Sequence, residues 1–130
     1  MRIVEYDRFG KAEEVTVIRE RPSPEPSAHE VLVKVRAAAL NPKDVIIRSG
    51  KFALLAVSGF PKWLGNDFAG EVARVGRSVR SVREGDAVFG MLQGLRGGTL
   101  AEYCVVPEQE LCKKPAQLSW EEAAALPRPA

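Results

Sequence analysis

The sequence predicts a mainly β domain in which short strands form a compact, partly open barrel, with one or two short helices. Three observations support this class. About seven short runs are rich in β-branched residues, glycine and proline turns separate the runs, and helical signals are confined to two short segments. The chain has 130 residues, which is enough for one domain with a single hydrophobic core.

Most of the first forty residues are predicted to be extended. Alternating and β-branched side chains predict strands over 2–6, 15–19 and 30–40, and the last of these has valine at every second position on one side. Three prolines make 22–26 a stiff loop that cannot pair within a sheet.

A change of period at Asn41 predicts a short helix. Asn41 is a typical N-cap residue, Pro42 suits the first turn, and Ser49 with Gly50 ends the segment. The loop that follows, residues 51–64, carries several large apolar side chains. This loop either packs on its own barrel or covers part of a pocket.

The second half of the chain repeats the pattern of strands and turns. Strands are predicted over 67–75, 87–91, 99–106 and 110–113. A second helix is predicted to begin after Ser119, because Glu122 lies three positions later and completes a capping box. This helix is expected to continue to Leu126.

Composition and charge exclude several classes of function. The net charge is +2 and the basic residues are dispersed, which predicts no nucleic-acid partner. No apolar run is long enough to span a bilayer and no signal peptide is recognisable, so we expect a cytoplasmic protein without a membrane partner. Cys104 and Cys112 are expected on neighbouring strands, where a disulfide is conceivable but two free, half-buried thiols are favoured.

A dense run of glycines and acids gives the clearest motif. It reads G-x-D-x-x-G-x-V-x-x-V-G from Gly65 to Gly76 and G-D-x-V-x-G from Gly85 to Gly90. The run resembles the first domain of the medium-chain dehydrogenase/reductases, on the branch that includes zinc-independent quinone and alkene reductases. The resemblance implies a GroES-like barrel over residues 1–130, in which glycines inside strands allow bulges or tight bends.

The zinc ligands of related enzymes are not found at the corresponding positions. Zinc-dependent relatives have a cysteine at the position of Asn41 and a His-Glu pair at the positions of Asn66 and Asp67. A catalytic zinc ion needs three protein ligands drawn from cysteine, histidine and carboxylate. The resemblance therefore implies no metal site, and we expect Asp67 to be a structural acid that bonds backbone amides.

Asn41, Lys43 and Asp44 are the candidate site residues. In similar quinone reductase-like sequences, the residue at Asn41 contacts the nicotinamide-ribose end of the cofactor or the substrate. Asn41 and Asp44 are therefore the candidate catalytic residues, and Asn41, Asp44 and Lys43 are the candidate cofactor-binding residues. The alternatives are a helix N-cap at Asn41, a favourable helix-dipole interaction at Asp44 and a merely solvated side chain at Lys43.

No dinucleotide-binding fold is predicted here, because no G-x-G-x-x-G turn joins a strand to a helix. Related sequences continue into a Rossmann domain, so residues 1–130 are expected to be a truncated N-terminal domain. We expect the catalytic portion of a zinc-independent oxidoreductase that uses NADPH or NADH to reduce quinones or α,β-unsaturated carbonyls, homodimeric when intact and inactive as this fragment. The alternative is a free-standing GroES-like module that binds a partner or assembles without catalysis.

Overall fold

The computed structural model describes residues 1–50, 60–93 and 97–126. The strands are β1 Arg2–Tyr6, β2 Thr16–Glu20, β3 Glu30–Ala39, β4 Lys62–Trp63, β5 Asp67–Val75, β6 Ala87–Met91, β7 Tyr103–Pro107 and β8 Leu111–Lys113. The helices are α1 Ala12–Val15, α2 Pro42–Ser49 and α3 Trp120–Ala125. Within these ranges the strands form two separate antiparallel sheets, ordered β2-β1-β4 and β7-β3-β5-β6-β8, which confirms the mainly β class.

The larger sheet carries the main hydrophobic core. β3 and β5 pair at its centre, and Val31 and Val33 of β3 are fully buried there. Phe68 and Val72 of β5 belong to the same cluster, and Val35 packs against it. The predicted alternation of β3, with its valines on one side, is therefore confirmed.

Close contact between β3 and β5 depends on a glycine beside a bulge. Gly70 pairs with Val35, and the next residue of β3, Arg36, has no partner in β5. A methyl group at Gly70 would lie 2.2 Å from the backbone oxygen of Lys34, so only glycine fits without separating the strands. A second bulge leaves Ala73 of β5 unpaired. Of the two bulges, only the one opposite Gly70 lies beside a glycine of the motif, since Gly76 follows the end of β5.

The smaller sheet contains a buried carboxylate that the alternation of β1 does not reveal. The Glu5 side chain is 1% exposed. It accepts hydrogen bonds from the Arg21 guanidinium at 2.9 and 3.1 Å, and from the indole nitrogen of Trp63 at 3.2 Å. Arg19 makes a longer contact at 3.4 Å. The hydrogen bonds from Arg21 are the main reason that the pKa of Glu5 lies below its ordinary value, although burial opposes the shift.

The predicted strand over 15–19 begins one residue later than expected. Residues 12–15 form the helical turn α1, and β2 starts at Thr16. Val15 is buried in a hydrophobic cluster with Tyr6 and Leu64, so its β-branched side chain packs in that cluster from the end of a helical turn. Tertiary packing here overrides the local β propensity.

The predicted strand over 99–106 is shorter than expected, because β7 begins only at Tyr103. The backbone N–H groups of Thr99 and Leu100 donate to the carbonyls of Gly65 and Leu64. Those bonds attach residues 99–100 to the loop before β5, and the Leu100 carbonyl also accepts from the Val4 N–H of β1, so the segment meets the smaller sheet only through isolated bonds.

Both predicted helices are confirmed in position. α2 begins at Pro42, and α3 begins after Ser119 with the expected capping box: the Ser119 hydroxyl accepts from the Glu122 N–H at 3.0 Å, and the Glu122 carboxylate accepts from the Ser119 N–H at 2.9 Å. Buried alanines of α3, Ala123 and Ala124, pack on β5. No helix in the described ranges is long and apolar enough to cross a membrane.

The two cysteines are free, but their predicted placement is wrong. β7 and β8, which carry Cys104 and Cys112, are the opposite edges of the larger sheet, not neighbours. Cys104 is buried and Cys112 is exposed, so neither thiol is half-buried. Burial raises the pKa of Cys104 to about 12.

We expect one thiol per folded chain to react with a water-soluble disulfide reagent at pH 8. Cys112 should react at once, because it is exposed, whereas Cys104 should react only on unfolding, because it is inaccessible and protonated. Absorbance of the released thiolate in native buffer and in denaturant measures both. The Cys112→Ser variant serves as the control and should be silent when folded. Two equally fast thiols in the native chain would contradict this placement.

Candidate functional site

The candidate residues meet where β3 ends and β5 begins. Ala39, the last residue of β3, pairs with Asp67, the first residue of β5. Asn41 follows two residues later, and α2 begins immediately after it. The register of one strand pair therefore brings the two predicted segments, residues 41–44 and 65–67, together.

Asn41 and Asp67 form a direct side-chain contact. The amide nitrogen of Asn41 donates a hydrogen bond to a carboxylate oxygen of Asp67. Asp67 is fully buried, whereas Asn41 is partly exposed. Asp67 was expected to bond backbone amides, and the contact with Asn41 also gives it a role next to the candidate site.

Asp44 holds the backbone around Asn41. One of its oxygens accepts from the Asn41 N–H at 2.8 Å, and the other accepts from the Gly65 N–H at 3.2 Å. The Asn41 carbonyl in turn accepts from the Asp44 N–H at 2.9 Å. Asp44 is 4% exposed, so this carboxylate ties α2 to the loop before β5 from a buried position. This geometry gives Asp44 a further role, which is to support the backbone of Asn41.

Asn41 occupies the N-cap position of α2, but in the described contacts only its backbone, and not its side chain, bonds the first turn of the helix. Its carbonyl accepts the first helical N–H bond, while its side-chain nitrogen is directed to Asp67. Lys43, the third candidate, lies in the first turn of α2, and its side chain lies outside the described part of the structure. The loop predicted to cover a pocket, residues 51–64, also lies outside it up to residue 59.

The loop before β5 is fixed by the segment around Thr99. Gly65 has a φ of +88°, and a methyl group there would lie 2.2 Å from the Thr99 hydroxyl oxygen. The side-chain nitrogen of Asn66 donates to the Leu92 carbonyl at 2.8 Å, and Asn66 is 2% exposed. Asn66, which stands at the position of a zinc-binding histidine in zinc-dependent relatives, is therefore directed into the protein.

The side chains around Asn41 can be compared with the ligands that a metal ion needs and with the hydrogen-bonding groups that a cofactor needs. Among the residues that the structure describes, no three His, Cys, Asp or Glu side chains are grouped so that they could share a metal ion. The oxygen of the Asn41 amide has no hydrogen-bond partner in the same part of the chain and belongs to a partly exposed residue. A neutral acceptor flanked by two buried carboxylates, Asp44 and Asp67, fits the uncharged nicotinamide-ribose end of a cofactor better than its pyrophosphate.

A groove of the described domain lies away from this corner. Its volume is about 670 Å³ and residues of both sheets line it, including Glu5, Trp63 and Tyr103, but not Asn41, Asp44 or Asp67. Its buried carboxylate, Glu5, is already satisfied by Arg21 and Trp63. The groove therefore offers less unsatisfied polar chemistry than the corner at Asn41.

Comparison with known proteins identifies the family to which this fold belongs. Residues 27–116 match the alcohol dehydrogenase GroES-like domain, which covers more than half of the chain. The chain belongs to this family. Its GroES-like domain is of the medium-chain dehydrogenase/reductase type, on the quinone oxidoreductase-like branch.

Three relatives illustrate the similarity. A chloroplastic quinone-oxidoreductase homolog from Spinacia oleracea is 37% identical over 98% of this chain and 39% of its own length. The chloroplastic NADPH-dependent alkenal/one oxidoreductase of Arabidopsis thaliana is 43% identical over 80% of this chain and 28% of its own length. The structure of the quinone oxidoreductase from Coxiella burnetii superposes with a TM-score of 0.93 at 34% identity, over 98% of this chain and 41% of that one. This GroES-like domain thus spans about two fifths or less of the relatives it matches.

Proposed function

We propose that this GroES-like domain forms the substrate side of the active-site cleft in a zinc-independent, NAD(P)H-dependent oxidoreductase that reduces quinones or α,β-unsaturated carbonyls. The observation that carries the proposal is the Asn41 corner, where a partly exposed carboxamide is held by two buried carboxylates, Asp44 and Asp67. The names of two relatives, quinone-oxidoreductase homolog and NADPH-dependent alkenal/one oxidoreductase, support the same chemistry.

The cofactor would supply hydride to the substrate carbon. The residues of this domain would bind and orient: Asn41 contacts the nicotinamide-ribose end, and Asp44 keeps the Asn41 backbone and the Gly65 loop in place. The pyrophosphate needs a glycine-rich strand-turn-helix, which the relatives have the length to contain. We therefore propose that a second, dinucleotide-binding domain completes the cleft. We also propose that the protein works in the cytoplasm.

The test uses the full polypeptide translated from the gene of this chain. We expect it to oxidise NADPH or NADH in the presence of a naphthoquinone or a 2-alkenal, followed at 340 nm, and to keep that activity after dialysis against a chelator. The Asn41→Ala variant should lose about tenfold in kcat/KM, the effect of one hydrogen bond. Gln109→Ala, which removes an exposed amide on the 3₁₀ turn after β7, is the matched control and should be unchanged.

Two results would overturn the proposal. One is a full polypeptide that binds neither NADPH nor NADH by calorimetry. The other is activity that disappears with the chelator and returns with stoichiometric zinc. A defined oligomer in light scattering without any turnover would support the binding or assembly module instead.

A further inference from the structure

We propose that Asp67 is a positioning residue that fixes the orientation of the Asn41 carboxamide, so that Asn41 presents its side-chain oxygen to the cofactor as a hydrogen-bond acceptor. This inference rests on the proposed function for the identity of the ligand. The orientation itself rests only on the contacts among Asn41, Asp44 and Asp67.

The first step is the chemistry of the Asn41–Asp67 pair. A carboxylate can only accept hydrogen bonds, whereas a carboxamide has a donor end and an acceptor end. Asp67 is fully buried and receives the amide nitrogen of Asn41. The reversed amide would place its oxygen against the carboxylate, and the repulsion between two acceptors in a buried site disfavours it.

The second step is the number of points at which Asn41 is held. Its N–H donates to Asp44, its carbonyl accepts from Asp44, and its side-chain nitrogen donates to Asp67. Asp44 is in turn bonded to the Gly65 N–H, so the clamp is attached to the loop before β5. In the described residues, the side-chain oxygen and the second N–H of the amide are the polar groups of Asn41 that no hydrogen bond engages, and the oxygen is the acceptor among them.

The third step is what this oxygen can bind. It lies on the opposite side of the Asn41 Cγ from the nitrogen that contacts Asp67, and it accepts but does not donate. A quinone or enone oxygen is also an acceptor and has no proton to offer. The nicotinamide end of the cofactor does carry donors, namely the carboxamide N–H groups and the ribose hydroxyls. We therefore assign Asn41 to one of these donors.

A nuclear magnetic resonance experiment tests the orientation without any ligand. The chain has two asparagines, so the side-chain amide signals are few and Asn41→Ala assigns the one of interest. In the wild type, one Asn41 amide proton should be shifted downfield and protected from exchange by the bond to Asp67. In Asp67→Asn this signature should be strongly reduced, because a neutral amide can face Asn41 with its oxygen or with its nitrogen, while the Asn66 amide, bonded to Leu92, should be unchanged. An Asn41 amide that exchanges freely in the wild type would overturn the proposal even if the variant fails to fold.

Binding measurements with the full polypeptide test the ligand. Asp67→Asn should raise the Kd for NADPH about tenfold, because the orientation is no longer enforced. The 3-acetylpyridine analogue of NADPH, which has a methyl group where the carboxamide has NH₂, separates the two donors. If the wild type binds the analogue about tenfold more weakly than NADPH, and Asn41→Ala removes this difference, the donor that Asn41 contacts is the carboxamide N–H. If the wild type binds NADPH and the analogue with equal affinity, the donor is a ribose hydroxyl.

The outcomes separate this inference from the proposed function. A wild-type polypeptide that binds no NADPH would overturn the proposed function and the ligand assignment, while the amide signature would still decide the role of Asp67. NADPH affinity that is unchanged in Asp67→Asn, with the signature strongly reduced, would overturn the assignment of Asn41 as the acceptor and leave the proposed function standing.

Discussion

Gly70→Ala is expected to lower the free energy of unfolding by about 3 kcal/mol or more, or to prevent folding. The added methyl group would lie 2.2 Å from the Lys34 backbone oxygen and 2.8 Å from a methyl carbon of Val33. The Lys34 backbone oxygen is part of the sheet and the Val33 side chain is buried, so neither can shift without a large loss of stability. The added methyl group therefore forces β3 and β5 apart. Chemical denaturation followed by circular dichroism measures the loss.

A second glycine provides the control for Gly70. Gly85 has a φ of +91°, but no atom lies within 4 Å of the position its methyl group would take. Gly85→Ala should therefore cost about 1 kcal/mol, the price of a left-handed backbone alone. Gly70 is not among the glycines with a positive φ, so equal losses in the two variants would contradict the close approach of β3 and β5 as the reason for glycine at this position.

Glu5→Ala is expected to destabilise the smaller sheet by about 2 kcal/mol. The carboxylate is 1% exposed and receives hydrogen bonds from Arg21 and from the indole nitrogen of Trp63. Its removal leaves the Trp63 donor without this acceptor and breaks the link between β1, β4 and the residue that follows β2. Thermal unfolding measures the effect. Glu25→Ala, at a surface ion pair with Arg74, is the control and should change stability by less than about 1 kcal/mol.

The contribution of Glu5 should also depend on pH in a defined direction. Its pKa is lowered in the folded chain, mainly by hydrogen bonds from Arg21, so the unfolded chain binds a proton more readily. The stabilisation is therefore complete at neutral pH and is lost as the pH falls below the ordinary value of 4.5. The stability difference between wild type and Glu5→Gln should shrink over that range. A difference that grows on acidification would contradict the assignment.

The fold was largely predictable because its signals are local. The valine alternation of β3, Pro42 at the start of α2 and the Ser119 capping box each depend on residues close in sequence. The errors arose where distant contacts decide the structure. Residues 99–100 bond the loop before β5, and β7 and β8 lie at opposite edges of the sheet although they are close in sequence.

The candidate site was predictable as two segments but not as a set of contacts. Asn41 and Asp44 were identified through the family resemblance, and the structure places both at one corner. The bond from Asn41 to Asp67 depends on the pairing of Ala39 with Asp67, which no local pattern specifies. The Asn41–Asp67 bond follows once the register of β3 and β5 is known. Burial of Glu5 likewise depends on Arg21 and Trp63, which reach it from other segments.

The bulge at Arg36 lets one strand supply two different hydrophobic layers. Before it, the odd-numbered residues Val31 and Val33 pack in the main core; after it, Ala37, also odd-numbered, packs with Ala69 against α3. Side chains alternate along a strand, so an inserted residue inverts their phase. Deletion of one residue at the bulge would therefore turn every later side chain of β3 to the opposite face of the sheet, immediately before Asn41.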